Sequence, residues 1–231
     1  MRTDEVSLLE RRLGYKFKEP GRAEQALRHR SAGGTHNERL EFLGDAAIGL
    51  AVAEMLYRGR PELNEGDLTR MRATLVNGRA LARMARDLDL GELLTMGAGE
   101  QRGGGFQRTS TLADVFEAVI GAVFLDAGYA AASELLQRLF AAPIEALPHP
   151  EQLKDPKTRL QEALQARGLA LPEYRIVDSS GPDHARSFRA ECRVDDLSIE
   201  ETGQGTSRRA AEQAAAAAIL KQLPFAGEDA Q

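Results

Sequence analysis

Residues 37–45 read Asn-Glu-Arg-Leu-Glu-Phe-Leu-Gly-Asp, and this stretch is the most informative in the chain. Its carboxylates Glu38, Glu41 and Asp45 are spaced i, i+3 and i+7, which places them on one stripe of an α-helix. The surrounding apolar side chains are Leu40, Phe42, Leu43, Ala46, Ala47 and Leu50. We therefore expect a mostly buried helix that carries a row of acids. Buried carboxylates need a partner, and a divalent cation is a natural one because hard cations prefer carboxylate oxygens.

A second acidic pair, Asp114 and Glu117, follows a glycine-containing segment at residues 97–105 and also lies among apolar residues. Two buried helices that each carry acids suggest a shared metal site, and Mg²⁺ binds through few carboxylates while keeping waters for a substrate. The spacing alone leaves another interpretation open, in which the acids lie on a solvated face and pair with residues such as Arg39. A di-iron bundle is disfavoured because it needs Glu-x-x-His pairs, and none of the four histidines follows a Glu by three residues.

The pattern of residues divides the chain into two domains of different class. Residues 1–146 read as successive helices and predict an all-α domain. Residues 147–153 contain two prolines and predict a linker. Residues 154–224 predict an α+β domain in the order α-β-β-β-α, and residues 225–231 form a tail.

Several local signals set the expected limits of these elements. Asn64, Asp155 and Ser207 are expected N-caps, and either Thr109 or Ser110 is expected to cap the helix that carries Asp114. The glycines predict a loop at residues 97–105. Strands are expected at 174–177, 186–194 and 197–202, followed by a loop that contains Gly203 and Gly205.

Composition limits the possible partners and surroundings of the chain. The net charge of −5 over 231 residues gives no bulk attraction to nucleic acid, so any such binding must depend on local clusters. The single cysteine, Cys192, excludes an intrachain disulfide, and we expect it to be a buried strand residue. No apolar run approaches the roughly 18–20 residues of a membrane span, and the first residues lack the apolar core of a secretion signal. We therefore expect a cytoplasmic protein without membrane association.

Three ordered segments resemble one known family. Residues 37–45 resemble the signature of ribonuclease III, the endonuclease specific for double-stranded RNA, and residues 64–70 and 112–121 resemble two further segments of that family. The resemblance extends from about residue 5 to residue 224. It implies a helical endonuclease domain followed by a double-stranded RNA-binding domain. Two alternatives stay open, namely a binding protein that has lost catalysis and a different metal-dependent helical phosphohydrolase with an appended RNA module.

The resemblance also assigns roles to the acids. It implies that Mg²⁺, which Mn²⁺ can replace, is held by Glu41, Asp45, Asp114 and Glu117. Among these, Asp45 and Glu117 would be the most important for hydrolysis, and Glu38 and Glu65 would be further catalytic carboxylates that line the RNA cleft.

Assembly and products follow from the same resemblance. It implies a homodimer in which Phe42 inserts into a pocket on the partner subunit, and the interpretation of Phe42 as an ordinary core residue stays open as the less favoured one. The expected products are duplexes with 5′-phosphate and 3′-hydroxyl ends and short 3′ overhangs. The expected substrates are ribosomal RNA precursors and structured messenger RNAs.

The second domain resembles the double-stranded RNA-binding domain, which reads the shape of the duplex and its 2′-hydroxyls. The predicted RNA contacts lie on the first helix, on the turn between the first two strands and at the start of the last helix; they are Thr158, Gln161, Glu162, Pro182, His184, Ser207, Arg208 and Arg209. Arg208 and Arg209 alone would also suit a solvated helix start. Glu212 departs from the family, because a third basic residue is common there, and this departure predicts weaker binding. Arg102 and Arg108, in the loop at residues 99–108, are further candidate phosphate contacts.

Overall fold

The computed structural model describes residues 3–182 and 186–223. His184, one of the predicted RNA contacts, and the predicted tail at 225–231 lie outside the described residues. The chain forms two compact units that divide between Pro148 and His149. This division falls inside the predicted linker, whose limits at 147 and 153 stay a prediction.

The first unit is all-helical, as predicted. Its helices are α1 (Thr3–Leu13), α2 (Pro20–Ala26), α3 (Glu38–Gly59), α4 (Glu65–Val76), α5 (Gly78–Asp87), α6 (Leu90–Leu93), α7 (Ala98–Arg102) and α8 (Thr109–Glu145). The second unit contains α9 (Pro150–Leu153), α10 (Pro156–Gln165), β1 (Glu173–Ser180), β2 (Ser187–Val194), β3 (Ile199–Gly205) and α11 (Arg208–Leu220). The predicted fold class, an all-α domain followed by an α-β-β-β-α domain, is confirmed.

The centre of the first unit is the crossing of α3 and α8, which depends on two glycines. A Cβ atom at Gly44 would lie 1.8 Å from the carbonyl oxygen of Glu117, and one at Gly121 would lie 2.1 Å from that of Leu40. Only glycine permits this approach of the two backbones. The close crossing brings the acids of α3 next to those of α8.

Helix α8 is interrupted at Gly128, whose φ of 79° is not helical. By length and composition α8 could cross a membrane, so the expectation that no segment meets this test is wrong for this helix. Half of its most apolar 18-residue window is buried within the protein, and buried core helices pass the same test.

Three local expectations are wrong, and the predicted linker contains a short helix. Helix α3 leaves Phe42, Ala46 and Leu50 exposed, because a single chain offers nothing to cover this stripe. The segment 97–105 is not all loop, since it contains α7 and the start of a 3-10 turn. Helix α8 begins at Thr109 without a side-chain cap. The predicted linker contains α9, because Pro150 suits the first position of a helix.

The second unit packs α10 and α11 against an antiparallel sheet of order β1-β2-β3. Ala190, Cys192 and Val194 are buried on one face of β2. The prediction that Cys192 is a buried strand residue is confirmed, and Cys192 is a free thiol. Gly203 lies in β3 and not in the expected loop. A Cβ atom there would lie 2.2 Å from the backbone nitrogen of Ala215, so glycine allows α11 to approach the sheet.

The three remaining N-cap predictions are confirmed, and the cap formed by Asp155 positions Thr158, a predicted RNA contact. Asn64 accepts a hydrogen bond from Asp67 N at 3.0 Å. Asp155 accepts one from Thr158 N at 3.1 Å, and the Ser207 hydroxyl accepts one from Ala210 N at 3.1 Å. These side chains satisfy backbone groups that a helix start leaves without partners.

Candidate functional site

The crossing of α3 and α8 gathers three carboxylates. Glu41, Asp114 and Glu117 each offer one oxygen, and these three oxygens all lie within 4.8 Å of one another. All three side chains are half-buried. The spacing of acids along the sequence therefore does correspond to a real cluster.

The three carboxylates are partly buried and close together, so both burial and mutual repulsion disfavour their charged forms. Burial, and then the charges of Asp45, Glu41 and Asp114, raise the pKa of Glu117 to about 8. Burial raises the pKa of Glu41, and Asp114 and Glu38 add to this effect. Burial also raises the pKa of Asp114. A hard divalent cation would relieve this repulsion, so the donor set fits such an ion.

Asp45 and Glu38 flank the cluster without belonging to the group of three. Asp45 is exposed, yet it is near enough to raise the pKa of Glu117. Glu38 is exposed and forms an ion pair with Arg30 at 3.3 Å, and its carboxylate lies 3.8 Å from His36 Nδ1. Both lie at the border of the cluster.

Glu65 lies apart from these acids in the single chain. It is exposed in the first turn of α4, where it accepts a hydrogen bond from the Thr69 hydroxyl at 2.8 Å. It borders a separate, largely apolar groove with Leu50 and Tyr57. The structure of one chain therefore does not bring Glu65 together with Glu41, Asp114 and Glu117.

A cleft of about 590 Å³ opens beside the cluster. Glu38, Glu41 and Asp114 line it together with basic residues, which are His29, Arg30 and Arg108. Sequence reasoning singled out Arg108 but missed the other two. The only sequence signal for His29 and Arg30 is their position shortly before residues 37–45. No rule of residue spacing identifies them as cleft residues.

The second unit presents its predicted RNA contacts along α10, at the start of α11 and on the turn after β1. The exposed ones are Gln161, Glu162, Pro182, Ser207, Arg208 and Arg209. Thr158 is half-buried, and its hydroxyl donates to the Asp155 carboxylate at 3.2 Å. A surface with basic groups and the positive end of a helix suits phosphates.

Two lysines that sequence reasoning missed neutralise acids on this surface. Lys154 Nζ donates to Glu162 at 2.6 Å. Lys157 Nζ donates to Glu212 at 2.6 Å and lies 4.1 Å from the centre of the Tyr174 ring. Glu212, the residue that departs from the family pattern, is therefore an ion-pair partner between α10 and α11.

The helical unit with its carboxylate cluster and the α-β-β-β-α unit together define a nuclease that acts on double-stranded RNA. Residues 20–144 match the family model described as Ribonuclease-III-like, and residues 156–223 match the double-stranded RNA binding motif. The chain belongs to the ribonuclease III family, and it is an endoribonuclease.

Curated relatives cover nearly the whole chain. It is 50% identical over 216 residues to Ribonuclease 3 of Methylococcus capsulatus, covering 93% of this chain and 94% of that protein. It is 48% identical over 221 residues to Ribonuclease 3 of Pasteurella multocida, covering 96% of this chain and 98% of that protein. Among solved structures, a nuclease domain of ribonuclease III from Campylobacter jejuni matches with a TM-score of 0.58 and 40% identity, covering 59% of this chain and 96% of that one.

Proposed function

We propose that this protein is a Mg²⁺-dependent endoribonuclease that cuts double-stranded RNA as a homodimer. The observation that carries the proposal is the cluster of Glu41, Asp114 and Glu117 beside a cleft that also contains basic side chains. The expected products are duplexes with 5′-phosphate and 3′-hydroxyl ends and short 3′ overhangs.

The metal would be held by Glu41, Asp114 and Glu117, with Asp45 beside them. Mg²⁺ suits this oxygen-only set, and Mn²⁺ is expected to replace it. When bound, the cation supplies an activated water and neutralises charge on the phosphate. Glu117 must lose its proton to serve as a ligand, because its pKa of about 8 keeps it largely protonated at neutral pH.

The protein residues of the cleft bind and orient the RNA. Arg30 and Arg108 line it and offer guanidinium groups to phosphate oxygens. Glu38 and Asp45 border the cluster, and we propose that they act with it. For Glu65 we propose a role in the assembled dimer, since a single chain keeps it in another groove.

The homodimer is supported by an exposed apolar stripe on α3. Phe42 is 81% exposed, Leu50 58% and Tyr57 73%, and their spacing places them on one side of the helix. Exposed apolar patches of this kind mark interaction sites. The related nuclease domain from Campylobacter jejuni is described as structurally flexible in a region involved in dimer formation.

The remaining parts of the proposal concern the cellular role. We propose processing of ribosomal RNA precursors and structured messenger RNAs, because the double-stranded RNA binding motif reads duplex shape with little sequence preference. We also propose a cytoplasmic location without membrane association. The single cysteine supports this, as does the burial of half of the most apolar window of α8.

The test is an end analysis of cleavage products. A long RNA duplex incubated with the protein and Mg²⁺ should give short duplexes that bear 5′-phosphates and short 3′ overhangs. Single-stranded RNA of the same sequence should stay intact. A duplex that is bound but not cut would contradict the proposal and favour a binding protein.

A further inference from the structure

His29 lies in the wall of the carboxylate cleft, where a chain of hydrogen bonds holds its ring. Gly97 N donates to the Ser31 hydroxyl at 2.9 Å. That hydroxyl lies 2.8 Å from His29 Nδ1, and Ser31 N donates to the same nitrogen at 3.2 Å. Because Ser31 N donates to Nδ1, this nitrogen is an acceptor, and its single lone pair faces both Ser31 N and the Ser31 hydroxyl.

This chain of bonds decides which nitrogen of the ring carries the proton. A neutral imidazole whose Nδ1 accepts hydrogen bonds has its proton on Nε2, which is then a donor. Among the residues that the structure describes, no hydrogen bond engages Nε2. His29 lines the same cleft as Glu41 and Asp114, so its Nε2–H group is a candidate donor in this cleft.

The glycine-containing segment keeps this arrangement in place. A Cβ atom at Gly97 would lie 2.3 Å from the carbonyl oxygen of Ser31, so a larger residue would push the His29 turn away. The backbone of Arg28 also forms a bridge with Thr95 next to this turn. Gly97 is therefore more than a flexible position, since it fixes one wall of the cleft.

The ligand class follows from the charges around the ring. Arg30 and Arg108 line the cleft with His29, and the acids stand in the same cleft. Arg30 is paired with Glu38, and Arg108 is paired with Glu100. Nε2 is thus a donor that an RNA phosphodiester can use without breaking an ion pair.

We propose that His29 is a substrate-contacting residue, whose Nε2–H group donates a hydrogen bond to a phosphate oxygen of the RNA strand in the cleft. Ser31 and Gly97 are positioning residues that hold the imidazole for this contact. The inference rests on the proposed nuclease function and adds a residue to its site.

A purely structural role is the competing explanation, because His29 also caps the 3-10 turn Arg30–Ala32. The variant His29→Asn separates the two roles. An Asn side chain can still accept the bond from Ser31 N, but it has no donor at the position of Nε2. The variant His29→Gln has a longer reach and offers an amide N–H near that position.

The chain provides a matched control in His149. Its Nδ1 accepts a bond from Glu151 N at 3.4 Å and caps α9 in the same way, but it does not line the cleft. The variant His149→Asn should therefore cleave RNA like the unmodified protein.

The experiment measures kcat/KM for duplex cleavage, duplex affinity without divalent metal and the melting temperature. His29→Asn should lower kcat/KM by about 10-fold to 100-fold, the effect of one hydrogen bond to a charged group, with the melting temperature unchanged and a loss of metal-free affinity no larger than this. His29→Gln should recover part of the loss. Full activity of His29→Asn, or equal loss in both variants, would overturn the inference. No cleavage by the unmodified protein would refute the proposed function as well, so the two failures are distinguishable.

Discussion

Glu117 has the most strongly raised pKa of the three clustered acids. Burial and the neighbours Asp45, Glu41 and Asp114 raise its pKa to about 8. A carboxyl with a raised folded pKa weakens the metal-free fold as pH rises from the unfolded pKa, about 4.3, towards 8. The same proton competes with a metal ion.

This competition predicts pH-dependent metal affinity. The apparent dissociation constant for Mn²⁺ should fall by about tenfold per pH unit between pH 6 and 8 and level off above that range. Calorimetry in two buffers of different ionisation enthalpy should detect the released proton. Glu117→Gln should abolish the dependence, and Glu145→Gln, an exposed acid on the same helix, should keep it. A flat profile in the unmodified protein would contradict this account.

Asp126 shows how one buried acid holds distant segments together. Its side chain is fully buried and accepts hydrogen bonds from Tyr15 Oη at 2.7 Å, Lys18 N at 2.8 Å and Glu19 N at 3.0 Å. Burial by itself would raise its pKa. These bonds and the nearby Arg22 more than offset that effect, so the pKa lies below its ordinary value.

Asp126→Asn should lower the free energy of unfolding by about 2–4 kcal/mol, because an amide nitrogen would face donors that lose their acceptor. The contribution of Asp126 is present above its unfolded pKa, about 3.9, and is lost as pH falls through the lower folded pKa. Denaturant unfolding at pH 7 checks the magnitude. Glu134→Gln, an exposed acid on the same helix, should change stability by less than about 0.5 kcal/mol. Equal effects of the two variants would contradict the prediction.

Residue-level prediction succeeded where short-range geometry decides the outcome. The spacing of Glu41 and of the pair Asp114 and Glu117 indicated a cluster because helix geometry fixes which residues share a face. His29 was missed because its place in the cleft depends on contacts with Ser31 and Gly97, and Gly97 is distant in sequence. No local pattern encodes such a contact.

At the level of elements, α10 and α11 are linked by charge. Lys157 Nζ lies 2.6 Å from Glu212 Oε2 and pairs with it, while Arg209 Nη2 lies 3.9 Å from Asp155 Oδ2. The expectation that Glu212 weakens RNA binding treats its charge as free, whereas the structure pairs it. Both side chains are partly exposed, so the pair is worth little energy by itself.

Lys157→Met should weaken duplex binding by about two-fold to five-fold, because it leaves the Glu212 charge beside Arg208 and Arg209. Adding Glu212→Gln should restore the affinity. Binding is measured without divalent metal at several salt concentrations. Arg175→Met, which removes a pair with Glu191 on the sheet, should have no effect.

A different result would identify Lys157 as a direct RNA contact. The double variant would then bind as weakly as Lys157→Met. The slope of log affinity against log salt would also fall by about one, as expected when one phosphate contact is lost.

Element types were predictable, but several limits were not. The period of apolar residues predicted the fold class and the three strands but not α7 or α9, and tertiary contacts placed Gly203 inside β3 and Gly44 at the crossing of α3 and α8. Glycine marks a loop when only local sequence is considered. It marks a close backbone approach once another helix is present.

At the scale of the whole molecule, the exposed stripe on α3 explains why one burial prediction was wrong. The stripe consists of large apolar side chains of the kind found in a core, but in the single chain they are exposed to solvent; they are Phe42, Leu50 and Tyr57. Sequence patterns cannot distinguish a helix that packs inside a domain from one that packs against a second copy.

Phe42→Asp should convert the proposed dimer into a monomer of about the chain mass, 25.1 kDa. Because Phe42 is 81% exposed, its loss should not unfold the chain. Sedimentation velocity measures the mass, and Leu171→Asp, which changes an exposed apolar residue of the second unit, serves as control. A monomeric unmodified protein would contradict the homodimer proposal.

The central claim is that the acids at the crossing of α3 and α8 form the cleavage centre. The most direct test is Mg²⁺-dependent cleavage of a labelled RNA duplex by the unmodified protein and by Glu117→Gln, beside their duplex affinities without metal. We predict cleavage by the unmodified protein alone, with equal affinities, since the second unit is unchanged. Cleavage by Glu117→Gln at the rate of the unmodified protein would contradict the claim.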